Sequence, residues 1–347
     1  MSNDNNYFLQ RKVKVLSKID EILKKLPHFV TEYFVGIENN SSPLTRLNYA
    51  VDLQIFFDYV LNKYDYESVT SIPLSVLDKI TASDIEHFLS YLSSFEYNGK
   101  HHVCNEKAKA RKLASIRSLY KYFFNKDKII ANVASKVATP KIHDKEIIRL
   151  ENSEVSELLN TAETGKGLTK HQLAYSKNTQ IRDIALLTLF LGTGIRISEL
   201  VGLNIDDFFF DTNSFVITRK GGNRTILYFT DEVKNELLKW LEYRKTLEKV
   251  DKNEKAMFLS LRNKRISVRA VEELVKKYAK VVTPLKRITP HKLRSTFGTN
   301  LYRQIGDIYI VADYLGHKDI NTTKRHYAAI SDDMRKSEIQ TLKLKDE

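Results

Sequence analysis

The sequence predicts a mainly α-helical protein with one small β-hairpin or sheet, organised as two domains. Apolar residues recur at helical spacing along most of the chain, whereas one clear pair of β-branched and aromatic runs flanks a turn signal. The helical periodicity weakens between residues 125 and 148, where we expect a domain boundary. A chain of 347 residues is long enough for two domains that each bury a core.

Amphipathic helices are predicted for the N-terminal part of the chain. One stripe has the i, i+3, i+4, i+7, i+8 spacing of a helix that buries one face. It comprises Leu53, Phe56, Phe57, Val60 and Leu61. The segment 116–124 repeats the pattern, and Thr81 or Ser83 is a suitable helix start because hydroxyl side chains cap free backbone N–H groups. We find no strand pattern here and assign residues 1–135 to a helical domain.

The helix predicted for residues 106–124 carries a cluster of basic side chains on its polar side. They are Lys107, Lys109, Arg111, Lys112, Arg117 and Lys121. Such a charge run is most often a solvated face. The chain has 56 Lys plus Arg against 43 Asp plus Glu, a net charge of +13. With that excess we favour contact of this helix with double-stranded DNA, through phosphates or the major groove.

A basic segment of weak periodicity follows, and we place a linker there at residues 136–150. The second domain is assigned to residues 151–347, including a charged C-terminal tail. Its opening helix is followed by a polar stretch, 161–179, that favours a loop. An apolar helix is predicted for 180–191, and the runs on either side of Gly221-Gly222 predict the β-hairpin. The rest of the domain is again mostly helical.

Composition argues against several classes of site. Cys104 is the sole cysteine, which excludes an internal disulfide and a cysteine-based zinc site and fits a reducing cytoplasm. His101 and His102 beside it lack a carboxylate at suitable spacing, so we expect no metal site. The polar start and the short apolar run 184–191 predict no secretory signal and no membrane association. No phosphate-binding Gly-x-x-x-x-Gly-Lys-Ser/Thr loop is present.

Six side chains of the second domain could act together on a phosphodiester. In chain order they are Arg196, Lys220, His291, Arg294, His317 and Tyr327. His291 and Arg294 are three residues apart and share one helical face. Guanidinium groups donate bidentately to phosphate oxygens, and such donors act most strongly on the charge that develops in the transition state. Two arginines and two histidines could therefore surround one phosphate.

A tyrosine oxygen could supply the nucleophile for this site. Its free pKa of about 10 makes the phenolate cost roughly 4 kcal/mol at pH 7, at about 1.4 kcal/mol per unit. A cationic pocket or a neighbouring base lowers that cost. A lysine at a hairpin tip is a reasonable proton donor for the leaving oxygen. Each feature alone is weak, because His-x-x-Arg pairs are more often structural and a lysine beside Gly-Gly usually belongs to a turn.

Five features in a fixed order carry a resemblance to a known family. They are Arg196, Lys220, the His-Lys-Leu-Arg segment 291–294, the Leu-Gly-His segment 315–317 and Tyr327. This ordered set resembles the tyrosine recombinase and phage integrase family. The resemblance covers residues 150–340 or so, and the helical N-terminal half is similar to the core-binding domain of that family. The runs starting at Leu26 and at Ser71 are similar to the single-chain Xer recombinases of Firmicutes, the XerS type.

The resemblance implies a role for each matching position. Arg196 and Arg294 would clamp the scissile phosphate, and Glu199 would orient that site. His317 would donate to a non-bridging oxygen and help to activate the tyrosine. His291 would bind the phosphate and assist proton transfer from the nucleophile.

The family pattern also assigns the two reacting ends. Lys220 would be the general acid for the 5′ oxygen, and Tyr327 would form the 3′-phosphotyrosyl bond. The residues around Tyr327, Arg-His-Tyr-Ala-Ala, differ from the Tyr-Thr-His common among Xer proteins. Tyr309 and Tyr314 precede the Leu-Gly-His segment and Tyr302 lies on the His-x-x-Arg helix, so order favours Tyr327.

The same resemblance implies a reaction without metal or other cofactor, since the phosphotyrosyl bond stores the energy for rejoining. It implies a homotetramer on paired DNA sites, a tail after residue 332 that docks on a neighbouring protomer, and dimer resolution at a dif-like site under the FtsK translocase. An integrase of a mobile element or an invertase would use the same residues. A type IB topoisomerase is disfavoured by the helical N-terminal half, and a non-catalytic DNA-binding protein by the complete set of six.

Overall fold

The computed structural model describes residues 4–142, 148–219 and 222–316. Within these ranges the chain is mainly helical with two small antiparallel sheets, which confirms the predicted fold class. The chain divides into two compact units, residues 1–145 and 146–347. No helix of the described ranges combines the length and the apolar character that crossing a membrane requires.

The first unit is a helical bundle. Its described helices are α1 (Asp4–Leu23), α2 (His28–Gly36), α3 (Pro43–Tyr64), α4 (Val76–Lys79), α5 (Ala82–Tyr91) and α6 (Glu106–Phe124). The apolar stripe predicted on α3 is largely buried, and α3 packs against α1 and α6. Thr81 caps α5, because its Oγ1 accepts the N–H of Asp84 at 3.2 Å and the carboxylate of Asp84 accepts the N–H of Thr81 at 2.8 Å. The prediction of a helix start at Thr81 is confirmed.

The first unit also contains a short antiparallel hairpin of β1 (Phe95–Tyr97) and β2 (Lys100–His102). The expectation of no strands in this region was therefore wrong. Three-residue strands are too short for an alternating pattern to stand out. The available signal was the Asn98-Gly99 pair, which turns the chain with both φ angles positive, as a two-residue hairpin requires.

The second unit contains eight helices and three strands in its described part. The helices are α7 (Asn152–Thr164), α8 (Lys170–Ser176), α9 (Gln180–Thr193), α10 (Ile197–Leu200), α11 (Asp231–Lys245), α12 (Val268–Val282), α13 (Pro290–Ile305) and α14 (Ile308–Leu315). The strands, β3 (Phe208–Phe209), β4 (Ser214–Thr218) and β5 (Arg224–Tyr228), pair in that order. The helix α9 lies at the centre and packs against α7, α11 and α13.

The loop expected at 161–179 is partly helical, so that prediction needs correction. The helix α7 continues to Thr164, and α8 occupies seven residues of the stretch. Thr169 starts α8 because its hydroxyl accepts the N–H of Gln172 at 3.3 Å while the amide of Gln172 accepts the N–H of Thr169 at 2.9 Å. A capping box stabilises a short polar helix that apolar periodicity does not reveal.

The β-hairpin of the second unit is confirmed where the sequence placed it. Val216 of β4 lies opposite Ile226 of β5, and the turn closes where the N–H of Arg219 donates to the carbonyl of Asn223 at 2.8 Å. The N–H of Gly222 also donates to the carbonyl of Arg219 at 3.0 Å. The described end of β4 is thus fixed by two backbone hydrogen bonds.

A buried ionic group, here called the Asp183 network, joins α9 to α12. The Asp183 side chain is 1% exposed. Its carboxylate accepts hydrogen bonds from Arg182 at 2.6 Å, Lys277 at 3.0 Å and Tyr278 at 2.9 Å. Arg182 also donates to the carbonyl of Leu259 at 2.7 Å. Both cations of the network therefore point at one carboxylate in the interior of the unit.

Candidate active site

Arg196 lies at the sharp connection between α9 and α10. The helix α9 ends at Thr193, its C-cap Gly194 has a left-handed conformation, and Arg196 is the residue that precedes α10. Glu199 accepts two hydrogen bonds from Arg196. Its Oε2 accepts from the backbone N–H at 2.9 Å, and its Oε1 accepts from Nη1 at 2.8 Å. The Glu199 side chain is 5% exposed and that of Arg196 is 36% exposed. The guanidinium is therefore oriented by a buried carboxylate while part of it faces solvent.

Arg294 lies on α13 and is 6% exposed. Its Nη1 donates to the carbonyl of Gly194 at 2.5 Å, and its Nη2 donates to the carbonyl of Leu315. The first bond ties α13 to the end of α9, two residues before Arg196. Arg294 therefore links the C-terminal end of α9, which leads to Arg196, with the C-terminal end of α14.

The C-terminal end of α14 is where these arginines meet. The carbonyl of Leu315 accepts from Arg294 and from Nη2 of Arg196 at 3.2 Å, and the carbonyl of Gly316 accepts from Arg196 at 3.0 Å. The last carbonyls of a helix lack intrahelical donors and carry partial negative charge. One helix end thus accepts hydrogen bonds from two guanidiniums, and both of them contact the carbonyl of Leu315.

A third arginine, Arg219, reaches the same helix end and was not singled out from the sequence. Its Nη2 donates to the carbonyl of Tyr314 at 2.9 Å and its Nη1 lies 3.5 Å from the carbonyl of Asp313. Burial lowers the pKa of Arg219; nearby Glu199 raises it and nearby Arg196 lowers it further. A strand-end arginine is common, so the only sequence signal was its position before Lys220. Arg196, Arg219 and Arg294 are together called the guanidinium cluster below.

The other predicted site residues divide into one described and three undescribed positions. His291 is exposed on α13, one helical turn before Arg294. Lys220, His317 and Tyr327 lie outside the described residues. Their nearest described neighbours are Arg219 before Lys220 and Gly316 before His317, and Arg219 packs on Gly316.

On α6 three predicted DNA-binding residues, Lys107, Arg111 and Lys121, are exposed. Lys107 and Lys121 are 14 positions apart, which is about four helical turns or about 21 Å on one face. Lys109 is half-buried and donates to Ser93 Oγ at 2.6 Å. These four side chains are at the surface of the first unit, and their contact with DNA stays a prediction.

The remaining two α6 residues are placed differently from the prediction. Lys112 is 4% exposed, and its ammonium donates to the buried carboxylate of Asp52 at 2.8 Å, which also accepts from Arg111 at 2.6 Å. Arg117 donates to the carbonyls of Ala134, at 3.2 Å, and Val137. Lys112 therefore stabilises the helical bundle instead of facing a ligand, and Arg117 anchors the segment that leaves α6. Neither is presented as a free cation for phosphate.

The histidines near Cys104 have other partners. His101 Nε2 lies 2.9 Å from Ser94 Oγ, and the His102 ring stacks on Phe95 with centroids 5.4 Å apart. In the described part of the chain, no three His, Cys, Asp or Glu side chains are grouped as a metal ion requires.

Comparison with known proteins assigns the class. The model of the phage integrase family matches residues 148–334. This chain therefore belongs to that family, whose tyrosine recombinases cut and rejoin DNA strands, as the arrangement of Arg196 and Arg294 leads one to expect.

Two relatives are Xer recombinases. It is 31% identical over 314 residues to the tyrosine recombinase XerC of Caldanaerobacter subterraneus subsp. tengcongensis, covering 86% of this chain and 82% of the relative. It is 29% identical over 347 residues to the tyrosine recombinase XerS of Streptococcus agalactiae serotype III, covering 92% and 97%. The chain is a tyrosine recombinase of the Xer and integrase type.

Solved structures share the fold. The site-specific recombinase XerH bound to its difH substrate before cleavage matches with a TM-score of 0.61 and 20% identity, over 83% of this chain and 76% of that one. The Tn1549 transposon integrase in complex with a circular intermediate DNA matches with a TM-score of 0.62 and 18% identity, over 89% and 98%. Both neighbours were determined with DNA bound.

Proposed function

We propose that this tyrosine recombinase resolves chromosome dimers by strand exchange at a dif-like site. The observation that carries the chemistry is the convergence of Arg196 and Arg294 on the carbonyl of Leu315. Similarity to XerS along almost the whole length of both chains supports the biological role. The enzyme acts in the cytoplasm as a homotetramer on two paired sites, with the FtsK translocase as a candidate partner.

Arg196 and Arg294 bind the non-bridging oxygens of the scissile phosphate. Both guanidiniums already donate to the carbonyl of Leu315, and the Arg196 side chain is 36% exposed beside Glu199, so part of it faces the solvent from which a phosphate would approach. Negative charge grows on these oxygens as the phosphorus becomes five-coordinate, and donors fixed beforehand stabilise it without reorganising. Glu199 keeps Arg196 in place through its two hydrogen bonds, and His317 and His291 add donors to the same phosphate.

Cleavage transfers the phosphate from sugar to protein. The Tyr327 oxygen forms a bond to phosphorus as its proton passes to His317 or His291. The bond from phosphorus to the 5′ oxygen breaks, and that oxygen keeps the electron pair and takes a proton from the Lys220 ammonium. Attack by a 5′ hydroxyl of the partner strand reverses these steps, so no metal, nucleotide or other cofactor is needed.

The first unit supplies DNA binding in this proposal, as a core-binding domain of residues 1–135 joined by the linker 136–150 to a catalytic domain of residues 151–347. Lys107, Lys121 and their exposed neighbours on α6 contact phosphates. Such contacts release counterions, so binding weakens as salt rises. After correction for the buried Lys112, the DNA-facing set is smaller than the sequence suggested.

A second candidate function is integration or inversion of a mobile element. The fold match to the Tn1549 transposon integrase, which covers 98% of that chain, supports this second candidate. The catalytic residues are the same in both candidates. What separates them is the position of the DNA target in the host chromosome.

The test traps the covalent intermediate. Sheared chromosomal DNA of the host, nicked at random, is incubated with the protein, and fragments that become covalently attached are sequenced. Dimer resolution predicts one site in the terminus region, whereas an integrase or invertase predicts element ends or inverted repeats.

A nicked duplex carrying the recovered site is then used with purified variants. Tyr327→Phe should bind it without forming an adduct, and the control Tyr309→Phe should form one. An adduct with Tyr327→Phe would overturn the assignment of the nucleophile.

A further inference from the structure

Arg219 connects the strand β4 with the helix α14 in the second unit. It follows β4, and its guanidinium reaches the carbonyl of Tyr314, at 2.9 Å, on the last turn of α14. A second tie lies on the neighbouring strand, where the Tyr314 hydroxyl donates to the carbonyl of Tyr228 at 2.6 Å. Both strands of the hairpin are therefore fastened to the end of α14.

The space at the helix end is shaped for this arginine. Gly316 has φ of +60°, which side-chain-bearing residues rarely adopt. A Cβ at this position would overlap the guanidinium of Arg219, which packs on the glycine from the strand side. Glycine at this position thus serves both the left-handed turn and the close approach of Arg219.

The backbone of Arg219 is fixed as firmly as its side chain. Its N–H and carbonyl make the two hydrogen bonds that close the turn, to Asn223 at 2.8 Å and from Gly222 at 3.0 Å. Lys220 follows directly in the chain. The residue that leads into the proposed proton donor is therefore held at the backbone by the hairpin and at the side chain by α14.

The contact of Arg219 with α14 matters because two other arginines donate to the same helix end. Arg196 and Arg294 donate to the carbonyls of Leu315 and Gly316, immediately after the carbonyls that Arg219 contacts. The helix end is thus a common reference for the phosphate-binding arginines and for the strand that leads to Lys220. A proton donor acts only within hydrogen-bond reach of the leaving oxygen, so this spacing has a direct chemical consequence.

We propose that Arg219 is a positioning residue for the general acid. By clamping the β4–β5 hairpin to the C-terminus of α14, it sets the distance between Lys220 and the scissile phosphate bound by Arg196 and Arg294. This inference rests on the proposed role of Lys220. Loss of the clamp lowers the rate of leaving-group departure while the phosphate pocket and the nucleophile stay in place.

The test changes the leaving group. In a duplex with sulfur in place of the 5′ bridging oxygen, the departing group is a thiolate. Alkyl thiols have a pKa of about 8.5, against about 15.7 for water and similar values for alcohols, so the sulfur leaves without a proton. Cleavage rates in a single turnover, at saturating DNA carrying the trapped target site, are compared for the oxygen and sulfur duplexes.

Arg219→Ala should cleave the oxygen duplex about 10- to 100-fold more slowly than the unsubstituted enzyme, a loss within the range of general acid catalysis. With the sulfur duplex its rate should return to within about threefold of the unsubstituted enzyme. Arg219→Lys keeps the charge without the planar fork and should lie between the two. The control Arg224→Ala removes an exposed charge from β5 of the same hairpin. Its ratio of the cleavage rate on the oxygen duplex to that on the sulfur duplex should equal the ratio of the unsubstituted enzyme.

Lys220→Ala separates failure of the inference from failure of its premise. If sulfur does not restore Lys220→Ala, the proposed general acid is wrong, and the inference about Arg219 falls with it. If sulfur restores Lys220→Ala but not Arg219→Ala, Arg219 acts on the fold or the phosphate pocket and the inference is overturned. Unfolding curves of each variant establish that the enzyme compared is folded, and Arg219→Lys carries the comparison if Arg219→Ala is not.

Discussion

The guanidinium cluster and the Asp183 network are both groups of cations within the second unit, and they differ in what accepts their hydrogen bonds. Both cations of the Asp183 network point at one carboxylate that is 1% exposed. In the guanidinium cluster, Arg219 and Arg294 donate to main-chain carbonyls of α14 and Gly194, and Glu199 pairs with Arg196. Each arginine of the guanidinium cluster donates to carbonyls at the end of α14, and Arg196 also has the Glu199 carboxylate as a partner.

This difference agrees with the proposed roles. Arg196 and Arg294 would bind the phosphate and Arg219 would position the hairpin, whereas the Asp183 network stabilises the fold. Breaking a pair between a cation and a fully buried carboxylate destabilises the fold. A carbonyl orients a guanidinium without neutralising it, and an incoming phosphate is a stronger acceptor. We therefore expect substitutions in the guanidinium cluster to affect catalysis, and substitutions in the Asp183 network to affect stability.

The largest expected effect is that of Arg294→Lys. Lysine keeps the positive charge but cannot donate to the phosphate, Gly194 and Leu315 with one planar fork. We expect single-turnover cleavage of the nicked target duplex to fall about 10²- to 10³-fold, the usual loss for a transition-state donor. DNA affinity should change less than tenfold. A variant that cleaves within a few-fold of the unsubstituted rate would contradict the placement of the phosphate.

Asp183→Asn tests the other side of the comparison. The asparagine leaves the buried Arg182 and the partly buried Lys277 without their carboxylate, and we expect a loss of about 3 kcal/mol in the free energy of unfolding. The control, Asp206→Asn, removes an exposed ion pair with Lys255 and should cost less than about 1 kcal/mol. Urea unfolding measures both. Cleavage per folded molecule should be unchanged, and a large specific loss would show that the network is coupled to the site.

Local features of the fold were predictable from the sequence. The bounds of α6 and the position of the β4–β5 hairpin follow from apolar periodicity and turn chemistry, which act over a few residues. Two exceptions are instructive. The strands β1 and β2 have three residues each, and α8 has seven, so the periodic signal had too few repeats to appear.

The candidate site was predictable as a set of residues and not as an arrangement. Order and spacing singled out Arg196, Arg294 and Glu199. The hydrogen bond of Arg219 spans 95 positions and that of Lys112 to Asp52 spans 60, and no local pattern records such contacts. Exposed and buried lysines on one helix look alike in sequence, because burial is decided by the partner on another helix.

The contrast between paired and available cations also applies along α6. Lys121→Ala removes an exposed cation and should weaken DNA binding about three- to tenfold while lowering the slope of log affinity against log salt by about 1. Lys112→Met removes a cation paired with Asp52 and should lower unfolding free energy instead, with the salt slope unchanged. Fluorescence anisotropy over a salt series measures the slopes. Equal slopes for Lys121→Ala and the unsubstituted protein would place α6 away from the DNA.

The smallest expected effect concerns Glu154, a carboxylate paired at the surface. Burial raises its pKa, but the hydrogen bonds from Lys286, at 2.7 Å, and from the N–H of Glu151 outweigh this and leave the pKa lowered. A lowered folded-state pKa stabilises the fold above the unfolded value of about 4.3, and this stabilisation is lost as pH falls through the folded value.

Glu154→Gln should therefore reduce the free energy of unfolding by less than about 1 kcal/mol at pH 7, because the pair is partly exposed. The difference from the unsubstituted protein should shrink as the pH is lowered below about 4, where the native carboxylate also becomes protonated. Urea midpoints between pH 7 and 3.5 measure this. A difference that grows on acidification would mean that Glu154 is held in its neutral form, and an effect above 2 kcal/mol at pH 7 would place this pair with the buried Asp183 network.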